Sequence, residues 1–218
     1  MGDSMQKRTL LNWLGLTGVV ALLSYAAAVM FSPLAYPDYN WAAQAVSDLS
    51  AENAPSKQLW QQLSALFDVC SVLCVMAVCV FVSGKLNKSL RLGIYLFAAM
   101  QWVTAVGYAM FPLSGNEDVM TFQDIMHIVV TAAVVLLSIV SLVLIAVGGF
   151  RRGTLRSLAV WALISLGMMM FGAIGTNALP AELFGLAERF SVFAAVIFNA
   201  VLGVYLFMGF GTKEDNTK

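Results

Sequence analysis

The chain has 218 residues, of which 60% are hydrophobic and 11% charged, with twelve basic and twelve acidic side chains. Soluble domains carry about a quarter charged residues, so a soluble core is excluded. A net charge of zero leaves no basic surplus to neutralise phosphates, which argues against a nucleic-acid partner.

Six apolar runs approach the ~20 residues that cross a hydrocarbon core. They lie at Leu10–Phe31, Ser64–Ser83, Leu92–Phe111, Ile125–Val147, Ser157–Asn177 and Phe190–Phe210. They are continuous rather than alternating, so they read as helices and not as barrel strands. The fold class is therefore all-α: a six-helix transmembrane bundle in one integral membrane domain, residues 1–218.

The first run follows Lys7 and Arg8 and ends in Ala26–Ala28, so it also has a signal-peptide reading. Its length, greater than the usual apolar core of a signal peptide, favours a retained helix. The main external loop, about Ser32 to Leu63, carries Pro33, Pro37, Trp41, Ser47, Asp48, Glu52 and Pro55. Its stretch Trp41–Leu49 is expected to form a short interfacial helix. Ser47-Asp48 reads as turn chemistry, since both side chains bond nearby amides. A Ser47 nucleophile served by a distant histidine is the alternative.

The second run holds Asp68 about one turn in, together with all three cysteines, Cys70, Cys74 and Cys79. A carboxylate there is costly unless paired or wet. The cysteines read as soft packing residues, with no disulfide framework and no zinc motif. In the third run Gln101 is an expected interhelical hydrogen-bonder, and Phe111-Pro112 closes the helix.

The fourth run opens with Thr121-Phe122-Gln123-Asp124, which reads as a capping box. His127, the only histidine, sits three residues after Asp124 on the same face. Two readings stand: Asp124 serves the helix start, or it orients His127 for general acid/base work. In the fifth run Gly167, Gly172 and Gly175 are expected to permit close helix contact, and Met168–Met170 to pack. The sixth helix carries Glu188-Arg189 near its outer end and contains Asn199, a second expected interhelical hydrogen-bonder. Arg189 is expected to pair with Asp68 or Glu188, as a clamp or as an anion-binding group.

Orientation follows from the basic residues. With the amino terminus inside, Lys7, Arg8, Lys85, Lys88, Arg91, Arg151, Arg152, Arg156, Lys213 and Lys218 are cytoplasmic, and only Lys57 and Arg189 are outside. Asp3, Glu214 and Asp215 join the inner set, while the other acids lie outside or at outer helix ends. Tyr36, Tyr39, Trp41 and Trp60 mark the outer boundary. Each odd-numbered run ends outside at a proline (Pro33, Pro112 or Pro180), and the next carries ionisable groups near its outer end. This reads either as a threefold repeat of hairpins or as ordinary proline stops.

These external elements together resemble the domain-of-unknown-function 998 family of prokaryotic polytopic membrane proteins. The resemblance is carried by Tyr36-Pro37 through Ala45-Val46-Ser47-Asp48-Leu49-Ser50-Ala51, by Phe111-Pro112 with a later acid and His127, and by Gly185-Leu186-Ala187-Glu188-Arg189-Phe190. It implies a location in a prokaryotic plasma (inner) membrane. The family is in turn distantly similar to the eukaryotic Frag1, Sfk1 and DRAM group, which suggests lipids as partners. Membrane hydrolases of the alkaline-ceramidase and adiponectin-receptor type hold zinc with three histidines. This chain has one, so no metal and no cofactor is expected.

The resulting expectation is a lipid-binding or lipid-handling protein with a polar pocket at its outer face. Arg189 would contact an anionic head group, His127 and Asp124 would contact hydroxyls or protons, and Glu188, Asp68, Asp48 and Ser47 are the further candidate binding residues. The competing readings are a metal-independent enzyme using His127 and Asp124, and a small transporter using Asp68 and His127.

Overall fold

The computed structural model describes residues 8–116 and 119–211. Of the residues used for orientation, Lys7, Lys213, Lys218, Asp3, Glu214 and Asp215 lie outside these.

The described chain is all-helical, and six segments are long and apolar enough to cross a membrane. The first span joins α1 (Leu10–Leu14) to α2 (Thr17–Phe31). The second joins α3 (Lys57–Leu63) to α4 (Phe67–Val82). The remaining four are α5 (Lys88–Met110), α6 (Phe122–Arg151), α7 (Arg156–Ala178) and α8 (Phe184–Phe207).

Several boundaries differ from the hydropathy reading, and each has a local cause. Helix α5 begins at Lys88 rather than Leu92 because the Asn87 side chain accepts the Leu90 amide and caps it. Helix α6 begins at Phe122 because Thr121 and Asp124 form the expected capping box. Helix α8 begins six residues before Phe190, and Glu188 and Arg189 lie near its start, as expected of ionisable groups at that helix end. The expected helix at Trp41–Leu49 is absent. That stretch is a series of turns leading into a 3-10 turn at Ser47–Ser50, because Asn40, Gln44 and Asp48 divert its amides to side chains.

The spans pack as a ring in chain order, and the ring closes where α8 meets α2; α8 also touches α4. Helix α8 is the most buried span. Its inward face carries Ala187, Ser191, Ala194, Asn199 and Gly203, small or polar groups that let backbones approach where lipid supplies no hydrophobic drive for association. A Cβ on Gly203 would fall on the Gly15 carbonyl oxygen. The Cys74 thiol sits at the same point, 3.7 Å from the Gly15 carbonyl and 3.6 Å from that of Asn199, as expected of a packing cysteine. Farther along, the Phe97 and Phe198 rings meet edge to face at 5.3 Å, and Leu142 and Met169 complete this core. Leu23, Val80, Leu136 and Ile174 point outward from the ring, the apolar surface that lipid requires.

The small-residue expectation holds in part. Gly172 lies against Ser191 and Gly175 against Ala187, but Gly167 has nothing within 4 Å of where its Cβ would be. Gly167 faces away from the α7–α8 contact, since its position differs by five residues from Gly172 and falls on another side of the helix. Asn199 donates to the Ser71 carbonyl at 3.4 Å and so bridges α8 to α4. Gln101 does not act as expected: its side-chain amide nitrogen is buried without a partner.

Hydrogen bonds fix which segments share an end. Asn12 donates to the Leu206 carbonyl, Asn87 to that of Gly148, and Arg152 to that of Lys85. One end therefore holds both ends of the described chain and the two short basic connections. The opposite end, the distal end below, holds residues 32–56, 111–116, 119–121 and 179–184.

Candidate functional site

The distal end is capped by the loop between α2 and α3, which is tied to the α5–α6 connection and to the start of α8. Its own shape comes from short-range bonds. Asn40 Oδ1 accepts from the Ala42 and Ala43 amides, and Gln44 Oε1 accepts from the Asn40 amide at 2.7 Å. Asp48 Oδ2 takes the Ala45 amide at 2.9 Å, and Ser56 donates to the Leu49 carbonyl at 2.8 Å. Val46 and Leu49 are buried beneath. Asp38 adopts a left-handed backbone, φ 61°, a conformation that aspartate tolerates in turns better than most residues.

The first tie runs to the α5–α6 connection. Proline 112 ends α5 and leaves carbonyls that the helix cannot satisfy. Three in succession are taken by other segments. His127 Nδ1 lies 2.9 Å from the Phe111 oxygen, Gln123 Nε2 donates to Pro112 at 2.6 Å, and the Glu52 amide donates to Leu113 at 2.8 Å. Asn53 Nδ2 adds a bond to the Gly115 carbonyl at 2.7 Å.

The second tie runs to α8. The Leu186 amide donates to the Ala42 carbonyl at 2.9 Å, and the Glu188 carboxylate accepts the Val46 amide at 2.6 Å. Arg189, only 3% exposed, donates from Nη1 to the Gln44 carbonyl at 2.9 Å and the Gly185 carbonyl at 2.8 Å. Its Nη2 donates to the Tyr39 hydroxyl at 2.6 Å, and its guanidinium lies 4.3 Å from the Trp41 ring centroid. Gly185 permits this, because a Cβ there would meet the Gln44 carbonyl and Arg189 Nη1. Tyr39 in turn donates to the Ala45 carbonyl at 2.7 Å. Burial pushes its phenol up to about 12, against the smaller opposing pull of the adjacent Arg189.

Arg189 is thus a clamp, but not of the kind expected. Its partners are carbonyls, a phenol and an indole rather than the Asp68 carboxylate, and it is too enclosed to greet an anionic head group. Asp68 stands in the first turn of α4 on the exposed outer surface of the bundle. The Asp124–His127 pairing is corrected too. Asp124 Oδ1 accepts the Ser114 amide at 2.8 Å, while Oδ2 accepts the Ser114 hydroxyl, the Thr121 amide and the Thr121 hydroxyl at 2.8, 2.9 and 2.6 Å. The carboxylate is therefore committed to its capping box and the preceding loop. The imidazole faces the Phe111 carbonyl and packs at a tilt against Tyr108, centroids 4.9 Å apart and planes at 42°. Ser47 and His127 make no bond to each other, and the Ser47 carbonyl accepts from Ser50, so a Ser47–His127 triad has no geometry here.

What does converge is a cleft of about 630 Å³ between the two tied loops and the start of α6. Asp48 and Asp124 both line it, while Ser47, Asp68, His127, Glu188 and Arg189 do not. Its lining also includes the polar Gln44 and Asn53 and the apolar Leu113, Met120 and Ile128. Sequence reasoning missed Gln44, Asn53 and Ser114. The Ser114-Gly115-Asn116 run is a turn signal directly ahead of a capping box, and it would have pointed to this loop.

No curated protein and no solved structure matches the chain. The family model described as "Protein of unknown function (DUF998)" matches residues 19–205, most of the chain, and this protein belongs to that family.

Proposed function

We propose that this protein binds an amphiphile at its distal end, with the head group in the cleft and the tail along α6. The observation that carries the reading is the cleft's mixed lining. Asp48, Gln44, Asn53 and Asp124 line it together with Ile128, which lies one turn beyond Asp124 on the same face of α6 and is exposed at the bundle's apolar exterior. Ile125, Ile128 and Val129 are all about half exposed there, a surface that accepts an acyl chain. A volume of about 630 Å³ is of the size that holds a small ligand or head group.

The charged groups among the residues lining the cleft are the carboxylates of Asp48 and Asp124, and none is basic. A hydroxylated or amine-bearing head group therefore suits it better than an anionic one. The concentration of lysine and arginine at the opposite end supports placing the cleft on the non-cytoplasmic side of a prokaryotic plasma membrane, with both termini inside.

Native mass spectrometry of detergent-purified protein tests this. Wild type retains an ethanolamine or glycolipid species, and Ile128→Trp, which fills the mouth with an exposed ring, loses most of it. Absence of retained lipid in wild type, or equal retention in the variant, would refute the reading.

A further inference from the structure

A second cleft lies at the opposite end of the bundle, separate from the site above. It measures about 430 Å³ and is formed where α5 begins and α6 ends, lined by Asn87, Lys88, Ser89, Arg151 and Arg152. We propose that it is a binding site for a phosphate ester, the head-group phosphate of an anionic phospholipid being the source that its position at a span end favours.

The cleft is built rather than incidental. Asn87 caps α5 through the Leu90 amide at 2.9 Å and also donates to the Gly148 carbonyl of α6 at 2.8 Å. Ser89 donates to the Leu144 carbonyl at 3.0 Å. Gly148 allows the helices to touch, since a Cβ there would lie 2.6 Å from the Leu90 nitrogen. These bonds hold Lys88 and Arg151 beside each other across two helices. Arg152 is anchored by one nitrogen, Nη1, on the Lys85 carbonyl at 2.7 Å, and among the described residues its other nitrogens carry no bond.

Its charge is uncompensated among the described residues. Lys88 and Arg151 make no bond or ion pair there, and Arg91, one turn on from Lys88, has its Nε buried without a partner. Every described carboxylate, from Asp38 to Glu188, belongs to the distal end of the bundle. Three cations gathered within one concavity repel each other unless an anion joins them. A tetrahedral phosphate offers acceptor oxygens to a guanidinium fork and an ammonium together. Basic pockets between helix ends at the membrane surface take anionic head groups on the same grounds.

The test uses purified protein in detergent, by native mass spectrometry with added phosphatidylglycerol or phosphatidylcholine, and by thermal shift with inorganic phosphate. Wild type retains phosphatidylglycerol several-fold over phosphatidylcholine, and Lys88→Gln and Arg151→Gln each cut that preference. Both side chains are exposed and, among the described residues, without a partner, so the variants keep the wild-type helicity by circular dichroism. A phosphate-dependent thermal shift that both variants abolish, without lipid preference, assigns the same site to a soluble phosphate ester. Equal retention of the two lipids with no phosphate response, or a preference unchanged in both variants, overturns the proposal.

Discussion

Arg189 Nη1 donates to the carbonyl oxygen of Gln44, 145 residues earlier, at 2.9 Å. The same guanidinium reaches Gly185, Tyr39 and the face of Trp41, so one side chain holds the longest distal loop onto the last span. Lysine offers a point charge rather than a planar fork and serves these directions poorly. Arg189→Lys is expected to cost roughly 2–3 kcal/mol, the scale of losing charged hydrogen bonds and leaving a buried carbonyl unmet. Thermal unfolding in detergent, with limited proteolysis of residues 36–56, measures it. A variant with native stability and a protected loop would remove the clamp.

Tyr39 gives that clamp a pH dependence. Its phenol is raised from the ordinary 10.0 to about 12, chiefly by burial. The folded state therefore favours the neutral form, and its contribution is complete below pH 10 and declines between pH 10 and 12. Tyr39→Phe is expected to be less stable than wild type near pH 8 and to show a flatter melting temperature across that alkaline window. A parallel slope in both proteins would contradict this.

His127 faces a carbonyl oxygen, which only accepts. The neutral imidazole must carry its proton on Nδ1 and leave Nε2 as the acceptor. Nitrogen-15 NMR of the sole histidine distinguishes the two tautomers directly. His127→Ala is expected to lose about 1 kcal/mol by releasing the Phe111 carbonyl. An Nε2-protonated ring would show that the latch between α5 and α6 is not made.

The α7 glycines separate two explanations for small residues in membrane helices. A Cβ on Gly172 would lie 2.5 Å from both the Cβ and the nitrogen of Ser191, while one on Gly167 meets nothing. Gly172→Ala is expected to destabilise by about 1–3 kcal/mol through overpacking. Gly167→Ala is expected to be neutral, or to gain up to about 1 kcal/mol from helix propensity. Thermal melts of the two single variants decide the matter, and equal effects would refute the packing account.

The six spans were legible because lipid leaves a long apolar run only one backbone solution. The capping box at Thr121 and Asp124 was legible because it is local, its donors and acceptors three residues apart. Starts that depend on polar residues inside a helix, such as Lys88 and Glu188, fell outside an apolar window. Arg189 was recognised as a clamp but assigned carboxylate partners, since charge is written in the sequence and the Gln44 carbonyl is not. A backbone oxygen looks the same at every position. Gly167 and Gly172 are likewise one letter, and only the azimuth of α7 against Ser191 tells them apart.

The ties between the distal loop and α8 also set an order of assembly. Residues 36–56 leave the ribosome long before Leu186, Glu188 and Arg189, so the bonds to Ala42, Gln44 and Val46 cannot exist until the final span arrives. Every intermediate with five or fewer spans carries the loop unlatched on that side. Insertion of α8 is thus the event that completes the distal face, and a chain truncated ahead of it leaves the loop without its bonds to Leu186, Glu188 and Arg189.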